Sequence, residues 1–384
     1  MVGGDGAMMR AALASVLILA AIVVLEGARL GVDITRFSMG DTPVTQYAKA
    51  DSDGPVVVVA HGFAGSQQMM QGYALPLARA GYRVFVFEFQ GHGRHRRPMS
   101  GDVHSVDGTT RALMEQTAEG PVVLISAFSE VIDATTPDRL LLVTGAWEPS
   151  LRAFAERALR MVDPAAQEGE TASSGDVIRQ AIAAPYSEHV SVLHSRVGRD
   201  AALSWLDAAY DRKAKVTIWP TGRAILAMLS GRVLGFDHIA QRLAPRDITP
   251  NDLTGMQYAA VLVLPTVLAP LVAVPLNPGV LPVLIADYLA LHLLIFGAIQ
   301  LAMLKYWGAH IGRMNLPALV LLLAGCILFG IALDRYAANF WPTPERVLII
   351  AAMLVGAVPY MLADAMLSTR APLWRRLALR ICVL

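Results

Sequence analysis

The hydrophobic pattern of this chain changes character several times. At Val56–Val59 four valines run together without a polar break, which suits a strand buried on both faces, as in a parallel sheet. The turn that follows, His61-Gly62-Phe63-Ala64-Gly65-Ser66, lifts backbone N–H groups to the carboxyl end of that strand, where α/β folds bind ligands. Tyr82–Phe89 repeats the pattern and ends in Gln90-Gly91-His92-Gly93-Arg94. With Gln71–Ala80 as the connecting helix, the pattern predicts a βαβ unit. Further along, Thr109–Thr117 reads as a helix and Val122–Ser126 and Arg139–Gly145 as strands. Arg199–Tyr210 reads as a helix, because Ala202, Leu203, Leu206 and Ala209 follow helical spacing.

A different texture brackets this region. Ala11–Leu25 carries no charge and lies between Arg10 and Glu26. Glu26, two residues before Ala28, disfavours signal cleavage, so an uncleaved anchor over residues 8–27 is expected. Beyond Arg212 four runs are long enough to span a bilayer: Tyr258–Leu276, Gly279–Leu304, Leu316–Leu333 and Val347–Leu367. A weaker candidate, Val216–Phe236, contains Arg223 and Arg232. It decides the topology. Lys305 and Arg313 share one loop and Arg370, Arg375, Arg376 and Arg380 follow the last span, which places both on the cytoplasmic side. If Val216–Phe236 spans, the soluble domain is periplasmic; if it lies on the surface, the domain is cytoplasmic. Pro265, Pro270 and Pro275 are expected to kink or break their span. Asp287, His292 and Asp364 fall inside spans, where ionisable groups suggest function by default. The set is small and no internal repeat is visible, so a structural role is favoured over a transporter site.

Composition narrows the class. Of 384 residues 55% are hydrophobic and 16% charged, the balance of a membrane protein with a soluble part. A net charge of +1 gives no electrostatic case for nucleic acid. Cys326 and Cys382 lack metal-ligand spacing and read as packing residues, so no metal or cofactor is expected. Neither strand is followed by G-x-G-x-x-G or a Walker sequence, which argues against a dinucleotide or P-loop site.

The strand, the His61-Gly62 turn, the helix, the second strand and the Gly91-His92-Gly93 turn, with Glu88 in the acidic position, together resemble the first half of an α/β-hydrolase. The alternative is a plain α/β scaffold that binds no nucleotide. The resemblance implies an α/β-hydrolase-like, mostly parallel but incomplete sheet over residues 30–212. An all-α transmembrane region of about four or five spans follows over 216–384. Similar hydrolases place a span directly after the soluble domain, which favours a multi-pass inner-membrane protein with a periplasmic domain.

Such an enzyme needs a nucleophile on a strained elbow, then an acid, then a histidine. Gly145-Ala146-Trp147-Glu148 looks like the acid turn and nominates Glu148, although a carboxylate at a strand end is also an ordinary surface feature. His189, just before the last helix of the domain, fits the family's histidine, with His194 as the alternative. His61 belongs to the oxyanion turn and His92 to the glycine turn. Gly62 and Phe63 form the oxyanion candidate, with the Phe63 N–H as donor, and Ser66 bonds within its own loop.

The nucleophile is not where the family puts it. No G-x-S-x-G occurs, and one strand and one helix are missing between the glycine turn and the acid strand. In one reading Val122–Ser126 is the strand beside the acid strand and the elbow is deleted. In the other it fills the vacant slot, and Ala127-Phe128-Ser129-Glu130-Val131 is a degenerate elbow with Ser129 as nucleophile. Val131 is β-branched where glycine is wanted, and Ala127–Asp138 is barely long enough for a parallel crossover. The first reading is therefore preferred. Leu377–Leu384 reads as the opening of another apolar run, and with the missing elbow it suits a damaged or partial gene, a divergent paralogue being the alternative. The implied ancestral activity is hydrolysis of a small ester or lipid-like acyl substrate at the lipid bilayer. The rival is a catalytically inactive protein whose domain binds a ligand or partner, or regulates a transporter-like helical region. Oligomeric state is left open.

Overall fold

The computed structural model describes residues 3–99, 108–117, 119–243, 253–283, 285–310, 316–368 and 371–383. Arg313 and Arg370, used above for topology, lie outside the described residues. The chain forms two compact units, Met1–Arg242 with Cys326–Trp341, and Leu243–Gly325 with Pro342–Leu384.

The first unit begins with α1 (Gly3–Arg29), then β1 (Asp33–Met39), β2 (Thr42–Ala48), β3 (Val56–Val59), α2 (Gln71–Arg79) and β4 (Arg83–Phe87). These strands form a sheet in the order β1-β2-β4-β3. The β3–β4 pair is parallel, with Val57 opposite Val84, and the two other pairs are antiparallel. After α3 (Gly108–Gln116) come β5 (Val122–Ile125), β6 (Arg139–Gly145), α4 (Pro149–Arg160), β7 (Thr171–Ser174) and β8 (Val177–Ala184). A second sheet has the order β5-β6-β8-β7, with β5, β6 and β8 parallel and β7 antiparallel at the edge. So β3 ends one sheet and β5 begins the other.

The expected βαβ unit is present, and its physical reason is burial. Tyr82, Val84 and Val86 are sealed from solvent beneath α2, which is itself buried from Gln71 to Ala78. A 3-10 turn (Ser191–His194) leads into α5 (Arg196–Ala209). From α5, Leu203 and Leu206 pack with the first sheet while Ala202 packs with Leu141 and Val143 of the second. One helix therefore floors both sheets. The domain is α/β.

Among the described residues five helices are long and apolar enough to cross a membrane: α1, α7 (Gly255–Leu276), α8 (Ala286–Tyr306), α9 (Leu316–Tyr336) and α10 (Pro344–Ser368). α6 (Thr221–Leu243) fails that test but lies antiparallel along α1. Its Ala224, Ile225 and Met228 pack with Ala21 and Leu25, and Gly231 meets Ala14 and Leu17, where an added Cβ would stand 2.8 Å from the Ala14 carbonyl. Arg232 of α6 stacks 4.1 Å from the Phe329 ring of α9.

In the second unit α8 and α10 approach closely through Gly297, set against the Tyr360 backbone, and Gly356, set against the Ala290 carbonyl. The expected break at the prolines does not occur: α7 runs through Pro265, Pro270 and Pro275. Pro265 removes the donor for the Val261 carbonyl, and the Gln300 amide donates to that carbonyl instead at 3.0 Å. Asp287 accepts the Val280 and Leu281 N–H groups at 3.1 and 2.9 Å, and Asp364 faces Arg380 at 3.4 Å. A short amphipathic helix, α11 (Leu373–Ile381), follows.

Candidate active site

Glu148 stands where β6 turns into α4. Gly145 must be glycine there, because an added Cβ would meet the Ser187 carbonyl and stand 2.9 Å from Glu148 Oε2. That oxygen accepts the Gly145 N–H and the Ser126 hydroxyl, each at 2.6 Å. The other oxygen, Oε1, takes His189 Nδ1 at 2.8 Å. His189 is carried on the loop after β8, which is tied back by the Trp147 N–H to the Ser187 carbonyl at 3.0 Å. Its neighbour Glu188 folds onto the Val190 and Ser191 N–H groups, which hold its carboxyl below the usual carboxylate range.

The histidine side chain is 68% exposed, whereas the Glu148 side chain is 8% exposed. The Nδ1 contact to a carboxylate oxygen places the ring proton on Nδ1, and Nε2 makes no hydrogen bond among the described residues. The arrangement has the geometry that a base and its orienting carboxylate take in a hydrolytic triad. The strand pairing explains how the two meet: β6 and β8 are parallel neighbours, so the segments after Gly145 and Ala184 emerge side by side.

Ser126 was not singled out from sequence. It follows directly on β5, adopts φ +45°, and is buried. A signal existed in the pairing, since Ile125 lies opposite Val143 and the next residue must reach the acid turn. Ser129 lies half-buried in the loop beyond, and among the described residues it bonds to neither Glu148 nor His189. Structure thus brings together Glu148, His189 and Ser126, and not Ser129.

Gly62 and Phe63 occupy the turn after β3, in the other sheet. The turn closes with Gly65 N–H on the Gly62 carbonyl at 3.0 Å and passes through Ala64 at φ +58°. Phe63 is exposed, and its N–H makes no hydrogen bond among the described residues, as a donor to an incoming oxyanion requires. Beneath it, His61 Nδ1 meets the Gly62 carbonyl at 2.8 Å, and Nε2 lies 3.2 Å from both the Phe89 N–H and Glu88. Glu88 also accepts the Gln67 and Arg94 N–H groups at 3.3 Å, joining the turn after β3 to the turn after β4. The end of α9 holds the same turns. Asp334 pairs with Arg94 and accepts from Gln68 at 3.3 Å, and the Asn339 N–H donates to Ser66 at 3.1 Å. Ser66 therefore bonds outward to the segment after α9. Among the described residues no cluster of His, Cys, Asp and Glu is arranged to hold a metal.

No family model matches the chain, and no curated protein matches it in sequence. Solved structures do resemble it. A CIB-like hydrolase from Thermoplasma acidophilum aligns at 12% identity and TM-score 0.34, over 46% of this chain and 98% of that one. The thioesterase domain from the curacin biosynthetic pathway aligns at 18% and 0.21, over 52% and 90%. A bacterial membrane phospholipase A aligns at 14% and 0.23, over 60% and 69%. These neighbours are of α/β-hydrolase type, at low identity and partial coverage. Likeness this loose carries no functional argument, so the chemistry rests on the side chains themselves.

Proposed function

We infer that this chain is a membrane-anchored α/β-hydrolase-family protein, descended from serine hydrolases of ester or acyl bonds, that keeps the acid–histidine pair and lacks the elbow segment. The observation that carries this reading is the 2.8 Å bond between His189 Nδ1 and Glu148, with Nε2 left free. The pairing of β5 directly beside the acid strand, with its other edge at the sheet boundary, supports deletion of the elbow strand over its replacement. In a competent site His189 deprotonates a serine, Glu148 stabilises the imidazolium, and the Phe63 N–H receives the oxyanion. Ser129 is the nucleophile of that version, and the substrate is a small ester or lipid-like acyl compound. The second reading, a non-catalytic binding or regulatory domain, draws on the absence of any described serine hydroxyl bonded to His189 Nε2. Labelling the purified chain with a fluorophosphonate and mapping the peptide separates them. A label on Ser129 that is lost in His189→Ala favours the active enzyme; no label on folded chain favours the binding domain.

The domain lies outside the cytoplasm in this reading. Asp334 and Asn339, at the end of α9, bond to the soluble domain's turns, so α9 ends on the domain's side. A chain that leaves and regains that side needs an even number of crossings, and α7, α8 and α9 supply three. α6, packed along α1, supplies the fourth. Lys305, and Arg375, Arg376 and Arg380, then face the cytoplasm. A cysteine introduced at exposed Asp176, between β7 and β8, is expected to react with an impermeant maleimide on intact cells. Protection until lysis would place the domain inside.

A further inference from the structure

A cavity of about 430 Å³ opens at the C-terminal ends of α1 and α9, lined by Glu26, Arg29, Leu30, Val32, Ile34 and Arg335. Its volume suits a small ligand or the head of a larger one. The charges around it are unevenly matched. Glu26 is already engaged: it takes Arg335 in a two-point bond at 2.5 and 2.8 Å and the Tyr336 hydroxyl as well. Arg29 has only neutral partners, the Gln71 side-chain oxygen and the Arg335 carbonyl at 3.3 Å, and both are met by the single nitrogen Nη1. Among the described residues no carboxylate lies within 4.0 Å of it, and Nε and Nη2 donate to no protein group.

Helix capping uses Arg29 only through Nη1, on the Arg335 carbonyl in the last turn of α9, and leaves Nε and Nη2 unused. The Gly27 and Leu30 carbonyls at the end of α1 are met by Arg79, at 3.1 and 3.2 Å. What remains is a half-buried guanidinium with two unused donors on one edge, the geometry that grips a phosphate or carboxylate at two points. The opposite wall is apolar, through Leu30, Val32 and Ile34. The helices leading to the cavity expose Leu19, Ile22 and Val23 on α1 and Ile327, Leu328 and Ile331 on α9. An occupant with an anionic head and hydrocarbon tails satisfies both.

We propose that this cavity binds the phosphate head of an anionic membrane phospholipid through Arg29, with the acyl chains lying along α1 and α9. The proposal rests on the membrane reading and goes beyond the hydrolase reading, since no part of the Glu148–His189 pair enters it. Carbonate extraction tests the first condition. Chain washed from membranes at high pH overturns both readings, while chain kept in the pellet leaves the lipid question to be read separately.

The full chain is then incubated in detergent with equimolar phosphatidylglycerol and phosphatidylcholine, and retained lipid is read by native mass spectrometry. Phosphatidylglycerol should be retained about tenfold over phosphatidylcholine, a difference of about 1.4 kcal/mol. Arg29→Gln should abolish the preference. Leu30→Trp, which fills the cavity from its exposed rim and leaves the arginine in place, should lower retention of both lipids. Equal retention by the unmodified chain, or a preference unchanged in Arg29→Gln, overturns the proposal. So does inorganic phosphate that raises the melting temperature of delipidated chain as much as phosphatidylglycerol does, because the site would then serve a soluble anion.

Discussion

Two carboxylate–histidine pairs stand at strand ends, one in each sheet, and they differ in what surrounds the ring. Glu88 and His61, after β4 and β3, have side chains at 0% exposure, and both ring nitrogens are engaged. Glu148 and His189, after β6 and β8, share a shorter contact, yet the histidine projects into solvent with one nitrogen unbound. The same pair of residue types is a sealed fastener in one setting and leaves an accessible imidazole in the other. Access of the second nitrogen, rather than the presence of a carboxylate, separates the roles.

The largest test of this contrast is stability. Glu88→Ala strands the Gln67 and Arg94 N–H groups in a buried site and should destabilise by about 4 kcal/mol. His189→Ala, on an exposed loop, should stay within about 0.5 kcal/mol; both are read by denaturant unfolding in one detergent. Comparable losses would erase the distinction.

A third histidine provides a reference with no carboxylate. Burial, aided by the charge of Arg199, pushes His194 down to about 4 from an ordinary 6.5. The unfolded chain therefore binds a proton below pH 6.5 that the folded chain refuses until about pH 4. Stability is full above 6.5 and falls by about 3 kcal/mol as pH drops to 4. His194→Gln should flatten that slope, measured as melting temperature against pH.

Reactivity comes next in size. Diethyl pyrocarbonate should modify His189 at least about a hundredfold faster than His61, which must await local opening. Equal rates, read by peptide mass spectrometry, would mean the buried pair breathes freely. The smallest effect belongs to Ser126→Ala, expected to lose about 1 kcal/mol with its hydrogen bond to Glu148. Ser126→Gly should recover part of that loss by relieving the positive φ.

Much of the fold was legible where burial is continuous: the valines of β3, the Leu140–Val143 run of β6 and the helical spacing of α5 declare themselves. β1 did not, because it is a largely exposed edge strand with no clean alternation. β8 did not either, since fully buried Arg179 interrupts its apolar run, where its Nη atoms reach the Ala158, Asp133 and Thr136 carbonyls. The nomination of Glu148 and His189 followed chain order, and parallel pairing places them in contact. Ser126 depended on strand register, which sequence does not print. The hold of Asp334 and Asn339 on the oxyanion turn joins residues some 270 positions apart (Gln68 with Asn339, Ser66 with Asn339), and no local pattern announces it.

The stacking of Arg232 on Phe329 also sets an order of events during biosynthesis. α6 emerges from the ribosome carrying an arginine whose aromatic partner has not yet been made. At about 5–20 residues per second, translation needs roughly five to twenty seconds to reach α9. Through that interval α6 rests on α1 and, at its start, on Arg199 and His194, and its contact with α9 is missing until Phe329 arrives. A ribosome stalled before α9 should therefore leave α6 open to extraction, and one stalled after it should not.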